Sequence, residues 1–497
     1  MSDPSLPDRL YRAASVRELD RIAIEELNIP GATLMARAGQ AAFELLLRNW
    51  PRTKIIAVVC GAGNNAGDGY VVARLAKEQG LEVRVADVGE PRRLRGDARA
   101  ARLELEAAGV RPAPYSPASM DGAEVIVDAV FGTGLDRQVE GRWGSAIAGM
   151  NAASAPILAL DIPSGLNADT GRVMGQAVRA AATVSFVGLK QGLFTGDGPE
   201  QCGRIHFHDL AVPESIFLRR PPDARLDRLE QFHAVLGARP RGAHKGRFGH
   251  LLVIGGDSGY LGATRLAAEA ALRSGAGLVS VASRADHAHA INAGRPEIMA
   301  HGVETTSDLE ALIRRASVIA VGPGLGQSSW AKRMLDSALV CEKPLVVDAD
   351  GLNLLAGKKG ARLSSSSVIT PHPGEAGRLL SSSAAAVEAD RFAALSCLVE
   401  RFGCPCVLKG AGTLTAAPEG ELHVCADGNP GMATGGMGDV LTGVVAALMA
   451  QGMKAETAAR AGVCLHALAG DLAAGRLERG MLASDLMPLL RVLVNGL

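Results

Sequence analysis

The stretch Lys54-Ile-Ile-Ala-Val-Val-Cys60-Gly61-Ala-Gly-Asn-Asn-Ala-Gly-Asp-Gly69 decides the fold. Residues 54–60 are a short, nearly continuous apolar run, the mark of a strand buried on both faces of a parallel sheet. A glycine-rich loop follows, then an expected helix over 70–79 and a second strand over 81–87. This is a βαβ unit, with its loop at the carboxyl end of the first strand, the edge where open α/β sheets bind ligands. The spacing Gly61-x-Gly63-x-x-Ala66, with Asp87 about 20 residues further on, satisfies the loose dinucleotide fingerprint. Asn64, Asn65 and Asp68 argue otherwise, because a carboxylate inside a pyrophosphate cradle repels the group it should hold. Amide oxygens and a carboxylate suit a hard cation or the hydroxyls of a polar ligand.

Upstream, two helices are expected, 16–27 capped by Ser15 and 33–47 after the break at Ile29-Pro-Gly31. Downstream, Arg92, Arg93, Arg95, Arg99 and Arg102 read as a solvated helix face. Two further strands end in carboxylates: Glu124-Val-Ile-Val-Asp-Ala-Val-Phe-Gly-Thr-Gly-Leu-Asp136 supplies Asp128, and Ile157-Leu-Ala-Leu-Asp-Ile-Pro-Ser-Gly165 supplies Asp161. Together with the Asn64–Asp68 loop they are expected to converge on one crevice at the sheet's carboxyl edge.

A proline-rich, charged segment near 213–228 reads as a linker. The second half repeats the pattern of apolar strands ending in glycine or polar loops, without a true sequence repeat. Its chemistry gathers in Asn429-Pro-Gly-Met-Ala-Thr-Gly-Gly-Met-Gly-Asp-Val-Leu-Thr-Gly443. Gly435, Gly436 and Gly438 let the backbone approach a ligand, and a helix opening near Asp439 adds free N–H groups and a positive dipole end. Asp439 is placed to take a proton from a substrate hydroxyl, or merely to cap the helix. Lys409 and Thr413, in a glycine-rich turn, suit a nucleotide phosphate. His372 lies between two prolines that stiffen it as a ligand contact. Glu375 stays unassigned, and His206 and His208 are read as structural.

Composition narrows the classes. A chain of 497 residues exceeds one hydrophobic core, and two large domains are expected. The 52 Lys and Arg residues balance 52 Asp and Glu, so no basic field gathers nucleic acid or an anionic membrane. Eight scattered cysteines lack C-x-x-C spacing and read as free thiols in a reducing compartment. No apolar run reaches the roughly 18 residues of a membrane span. The start, Met1-Ser-Asp-Pro-Ser-Leu-Pro-Asp8, lacks the pattern of a secretory signal, so a cytoplasmic protein is expected.

The motifs Asn64-Asn-Ala-Gly-Asp68, Val127-Asp-Ala-Val-Phe-Gly-Thr-Gly-Leu135 and Asp161-Ile-Pro-Ser-Gly165 resemble the NAD(P)H-hydrate epimerase domain, often called the YjeF N-terminal domain. Two departures are visible: Ala66 stands where that family usually has Gly, and Ala36 where it usually has Glu. The motifs Lys245-Gly-Arg-Phe-Gly-His250, Gly322-Pro-Gly-Leu-Gly326, Thr370-Pro-His-Pro-Gly-Glu375 and the Asn429–Asp439 loop resemble ADP/ATP-dependent NAD(P)H-hydrate dehydratase, of the ribokinase-like fold.

The resemblance implies an epimerase domain over 1–215, a linker over 216–227 and a dehydratase domain over 228–497. It implies an α/β protein with a Rossmann-like doubly wound sheet first and a ribokinase-like sandwich second. By the same resemblance, Asn64, Asn65, Ala66, Gly67, Asp68, Gly132, Thr133, Gly134, Leu135, Asp136, Arg137, Gln138 and Asp161 bind the hydrate. Asn65, Asp128 and Ser164 hold K+, and Asp161 moves the proton or only orients the ligand. In the second domain Ala263, Gly326, His372 and Asp439 contact the S-hydrate. Lys409, Gly410, Ala411, Gly412, Thr413 and Gly438 hold the adenine nucleotide, which arrives with Mg2+. The implied activity is epimerisation of R and S hydrates and dehydration of the S form with ADP or ATP. A homo-oligomer is the expected assembly. The rival reading is a ribokinase-like kinase of a small hydroxymethyl compound, joined to a non-catalytic ligand-binding domain.

Overall fold

In the computed structural model, which describes residues 5–496, the chain divides into two compact units, Asp3–Arg225 and Leu226–Leu497. Residues 1–4, part of the stretch read for targeting, lie outside the described residues. The expected linker, 216–227, contains most of a short helix, Ser215–Arg219, and the strand Ala224–Asp227. This strand pairs with Arg9–Tyr11 through Leu10↔Ala224.

Among the described residues the main sheet of the first unit has seven strands: β1 Ile55–Cys60, β2 Glu82–Asp87, β3 Ala113–Pro114, β4 Val125–Ala129, β5 Ile157–Leu160, β6 Ala182–Phe186 and β7 Arg204–His208. All pairings are parallel and the spatial order is β3-β2-β1-β4-β5-β6-β7. The order reverses between β1 and β4, which opens a crevice at their carboxyl ends. The run Ile56–Cys60 is fully buried because helices cover both faces of the sheet.

Three helices frame this crevice: α1 Ala13–Arg21, α2 Gly31–Asn49 and α3 Asn64–Glu78. Two expectations are corrected here. Ser15 is not the cap of α1; it is buried in the first turn, and Arg12 takes the cap position. Helix α3 begins at Asn64, not at residue 70, so Asn64–Asp68 form its first turn and a half. Glycine-rich sequence enters a helix here because Ala66, Gly67 and Gly69 pack where there is no room for bulk: a Cβ on Gly67 would meet Met35 Sδ at 2.5 Å.

The second unit is built on the strands β8 His250–Ile254, β9 Leu278–Ser283, β10 Met299–Gly302, β11 Val318–Val321, β12 Leu345–Val347, β13 Val368–Ile369, β14 Cys406–Leu408, β15 Thr413–Ala416 and β16 His423–Cys425. They run β10-β9-β8-β11-β12-β13-β14-β15-β16, parallel as far as β14 and antiparallel beyond it. The helices that position the site are α4 Leu261–Arg273, α5 Pro373–Leu379, α6 Arg391–Phe402, α7 Met437–Ala450 and α8 Ala455–Ala474. Helix α7 is apolar all round and buried from Val440 to Ala450. That pattern belongs to the centre of a large core. No helix among the described residues is long and apolar enough to cross a membrane.

Candidate active sites

In the first unit the carboxyl edge brings together Asn65, Asp128, Gly132, Asp161 and Ser164. Asp128 is fully buried at the end of β4; its Oδ2 accepts from Ser164 N at 2.8 Å and its Oδ1 from Ser164 Oγ at 2.6 Å. Burial pushes this carboxyl up to about 6, with the Ser164 hydrogen bonds opposing the rise. Asn65 Nδ2 donates to Phe131 O at 2.9 Å. Its Oδ1 is buried without a hydrogen-bond partner among the described residues. Gly132 lies between Asn65 and Asp161: a Cβ there would stand 3.7 Å from Asn65 Cγ and 3.8 Å from Asp161 Oδ2.

Asp161, directly after β5, has φ 67°, a left-handed conformation that costs a residue with a side chain about 1–2 kcal/mol. Its N–H donates to Val184 O at 2.7 Å and its Oδ1 accepts from Phe186 N at 3.3 Å, so the strained turn is fastened to β6. The same carboxylate pairs with the Lys190 ammonium. Asp68, one turn into α3, is desolvated beside Asp161 and Asp20, and its carboxyl is pushed well above the ordinary range.

The remaining expected residues sit less centrally. Asn64 is the first residue of α3 and Gly67 the fourth. Ala66 is buried. Thr133 and Gly134 follow Gly132 in the loop, Leu135 turns inward, and Asp136, Arg137 and Gln138 are exposed. The dinucleotide fingerprint loses its acidic member: Asp87 is buried, accepts from Tyr70 Oη at 2.7 Å and pairs with Arg102. Arg102 is accordingly corrected from a solvated face residue to the partner of that carboxylate.

In the second unit a chain of charges crosses from β12 to α7. Asp348, 1% exposed after β12, accepts from Lys409 Nζ at 2.6 Å through Oδ1 and from Thr442 Oγ1 at 2.7 Å through Oδ2. Lys409 Nζ also lies 3.8 Å from Glu375 Oε2, which accepts from His372 N at 2.8 Å. His372 caps α5, its Nδ1 accepting from Gly374 N at 3.0 Å. Burial, then the charges of Lys409 and Arg378, depress its imidazole. Glu375 is pushed up to about 7 by burial against the opposing pull of Lys409.

The start of α7 differs from expectation. The helix begins at Met437, with Gly436 as its cap at φ 92°, so Asp439 occupies the first turn rather than opening the helix. A Cβ on Gly438 would stand 3.2 Å from Lys409 Nζ, which puts the open side of this glycine against the lysine. Burial first, then the negative charge of Asp348, pushes the Asp439 carboxyl up to about 7, and Lys409 opposes the shift. A carboxyl poised there can accept a proton at physiological pH.

The turn carrying Gly410, Ala411, Gly412 and Thr413 follows Lys409, with Gly410 at φ 141° and Gly412 at φ 63°. Beneath it the buried Arg391 of α6 donates to Leu408 O and Lys409 O, both at 3.2 Å, and fixes its path. Gly326 ends a turn of left-handed glycines and donates its N–H to Asp350 Oδ2 at 2.9 Å. Asp350 also raises the Asp439 carboxyl. Ala263, in the first turn of α4, packs under Gly324 of the same turn.

Lys190, Asp20 and Asp348 were not singled out from the sequence. Asp348 carried a legible signal, a carboxylate immediately after an apolar strand, the same pattern that marked Asp161. Lys190 carried none, since a lone lysine reads as surface.

Fold and sites together define a two-unit α/β enzyme, its second unit of ribokinase-like architecture. Residues 31–192 match the family model described as YjeF-related protein N-terminus, and residues 251–491 match NAD(P)H-hydrate dehydratase. The chain is 47% identical over 487 residues to the bifunctional NAD(P)H-hydrate repair enzyme Nnr of Coxiella burnetii, covering 98% of this chain and 99% of that one. It is 42% identical over 492 residues to the enzyme of the same name from Escherichia coli, with 99% and 95% covered. A ribokinase-like superfamily protein of solved structure from Enterococcus faecalis V583 aligns at 30% identity and TM-score 0.51, over 55% of this chain and 95% of its own. The chain belongs to the family of bifunctional NAD(P)H-hydrate repair enzymes.

Proposed function

We propose that the first unit interconverts the R and S hydrates of NADH and NADPH at Asp161, and that the second dehydrates the S form at Asp439 with an adenine nucleotide. The observation that carries this reading is the Asp439 carboxyl, held near neutrality at a helix start beside Lys409. The hydrate bears a hydroxyl on the carbon next to the ring nitrogen. Asp439 removes that proton as the oxygen attacks the terminal phosphorus of ADP and AMP leaves. Backbone amides at the start of α7 and in the Gly410–Thr413 turn steady the charge on the transferring group. Phosphate then departs with the C–O bonding electrons, the ring nitrogen supplies the electron pair, and loss of a proton from the neighbouring carbon restores the double bond.

Mg2+ fits as a companion of the nucleotide rather than as a resident ion. Asp348 is committed to Lys409 and Thr442, Glu375 to His372, and Asp350 to Gly326 and Asn353. Among the described residues no group of three His, Cys, Asp or Glu side chains could hold a metal. Such an ion would arrive with the nucleotide and would supply neutralisation of its phosphate charge.

K+ fits the first unit. The partnerless Asn65 Oδ1, the Asp128 carboxylate and Ser164 form the kind of hard oxygen set that such a cation takes. It would orient the ligand. In epimerisation Asp161 takes the hydroxyl proton as the oxygen forms a carbonyl and the bond from that carbon to the ring nitrogen breaks, its electron pair going to nitrogen; the nitrogen closes on the other face of the carbonyl and Asp161 returns the proton. The setting we assign is the cytoplasm and the assembly a homo-oligomer.

The experiment follows the near-ultraviolet absorbance of the reduced nicotinamide after adding protein, Mg2+ and ADP or ATP to mixed R and S NADH hydrate. Complete, nucleotide-dependent recovery that Asp439→Ala abolishes supports both activities. Recovery that stops at the S fraction removes the epimerase assignment. A stable phosphorylated product without NADH favours the kinase reading instead.

A further inference from the structure

Lys190 is 0% exposed, yet it carries an ammonium. It lies on the two-residue strand Leu189–Lys190, which pairs in parallel with Arg9–Tyr11. Its Nζ donates to Ser185 Oγ and Phe186 O, both at 3.1 Å, and makes an ion pair with Asp161 Oδ1. A lysine is buried this deeply only when its charge is fully matched, because an unmatched ammonium is expensive to desolvate.

Three carboxyl groups surround this one cation from three elements: Asp161 after β5, Asp68 from α3 and Asp20 from α1. Asp161 is its only carboxylate contact among the described residues. Asp68 and Asp20 feel Lys190 at longer range and each is destabilised by the charge of Asp161. Burial dominates both: Asp68 is pushed well above the ordinary range and Asp20 up to about 6.

We propose that Lys190 is a positioning residue for epimerisation: its ion pair, with the hydrogen bonds that anchor its ammonium to Ser185 and Phe186, holds the Asp161 carboxylate in place in its left-handed turn for the hydrate hydroxyl. Asp161 then accepts the hydrate hydroxyl proton from that fixed position. The inference rests on the role of Asp161 proposed above.

The test measures R-to-S conversion of NADH hydrate against pH for the full chain and for Lys190→Met, Lys190→Arg and Asp161→Asn. Dehydration of the S form by the same chains, with thermal melting, controls for folding. For Lys190→Met the expected result is a fall in epimerisation kcat of about 100-fold with KM nearly unchanged. The acidic limb of the pH profile should move up, since a carboxylate deprived of its cation holds its proton more tightly. Lys190→Arg should recover part of kcat. A folded Lys190→Met chain with wild-type kcat and an unmoved limb overturns the proposal. Should that variant fail to fold the unit, Lys190→Arg decides, because a bulkier cation must displace Asp161 and wild-type kcat would exclude the positioning role. Unchanged epimerisation in Asp161→Asn removes the underlying reading itself, whatever Lys190 does.

Discussion

Lys409 and Asp348 stand 61 residues apart in the chain and 2.6 Å apart in the fold, with Thr442 closing the other side of the carboxylate at 2.7 Å. This contact ties β12, β14 and α7 into one rigid floor under Asp439. Asp348→Ala strips the buried ammonium of its hydrogen-bonded carboxylate and leaves it only Glu375 at 3.8 Å, and breaking such a pair costs about 3–5 kcal/mol. Denaturant unfolding should show that loss, while Thr442→Val should lower stability by only about 1 kcal/mol.

The Asp439 carboxyl, raised to about 7, predicts the pH response of dehydration. Below pH 7 the base is protonated and kcat falls; above it the rate reaches a plateau. Asp439→Asn should lower kcat by a factor of about 100–10,000 at pH 8. A steady-state pH profile on pure S-hydrate checks both statements, and a flat profile between pH 6 and 8 excludes Asp439 as the base.

The same shift bears on stability with the opposite profit. Between the ordinary carboxyl value near 3.8 and about 7, the folded chain binds a proton that the unfolded chain has released. Stability therefore falls as pH rises through that window. Asp439→Asn should consequently raise the melting temperature at pH 8 and leave it nearly unchanged at pH 4, as paired calorimetry would reveal.

Tyr70, Asp87 and Arg102 form a buried structural triad away from the proposed chemistry. Tyr70→Phe should cost about 0.5–1.5 kcal/mol of stability and leave epimerisation unaltered. A change in the KM for hydrate would instead place Asp87 in ligand binding.

Exchange of K+ for a bulky organic cation should slow epimerisation and spare dehydration of pure S-hydrate, since the oxygen set of Asn65, Asp128 and Ser164 belongs to the first unit alone. Asn65→Ala should remove the dependence on K+. Equal loss of both activities would point to a cation in the second unit.

Much of this was legible in the sequence because it is local. Apolar runs such as 55–60 and 157–160 announce buried strands, and the residue that ends each run falls at the sheet edge where sites form; Asp128, Asp161 and the Asn64–Asp68 stretch follow from that alone. The glycines before Asp439 likewise marked a helix start, although not the residue at which it begins. What only the tertiary structure decided is which charges meet. The engagement of Asp87 by Tyr70 and Arg102 removes the dinucleotide reading, Asp348 secures Lys409, and Lys190 is drawn inside to face Asp161. Burial and long-range pairing set the charge of an ionisable side chain, and neither is written in the residues beside it.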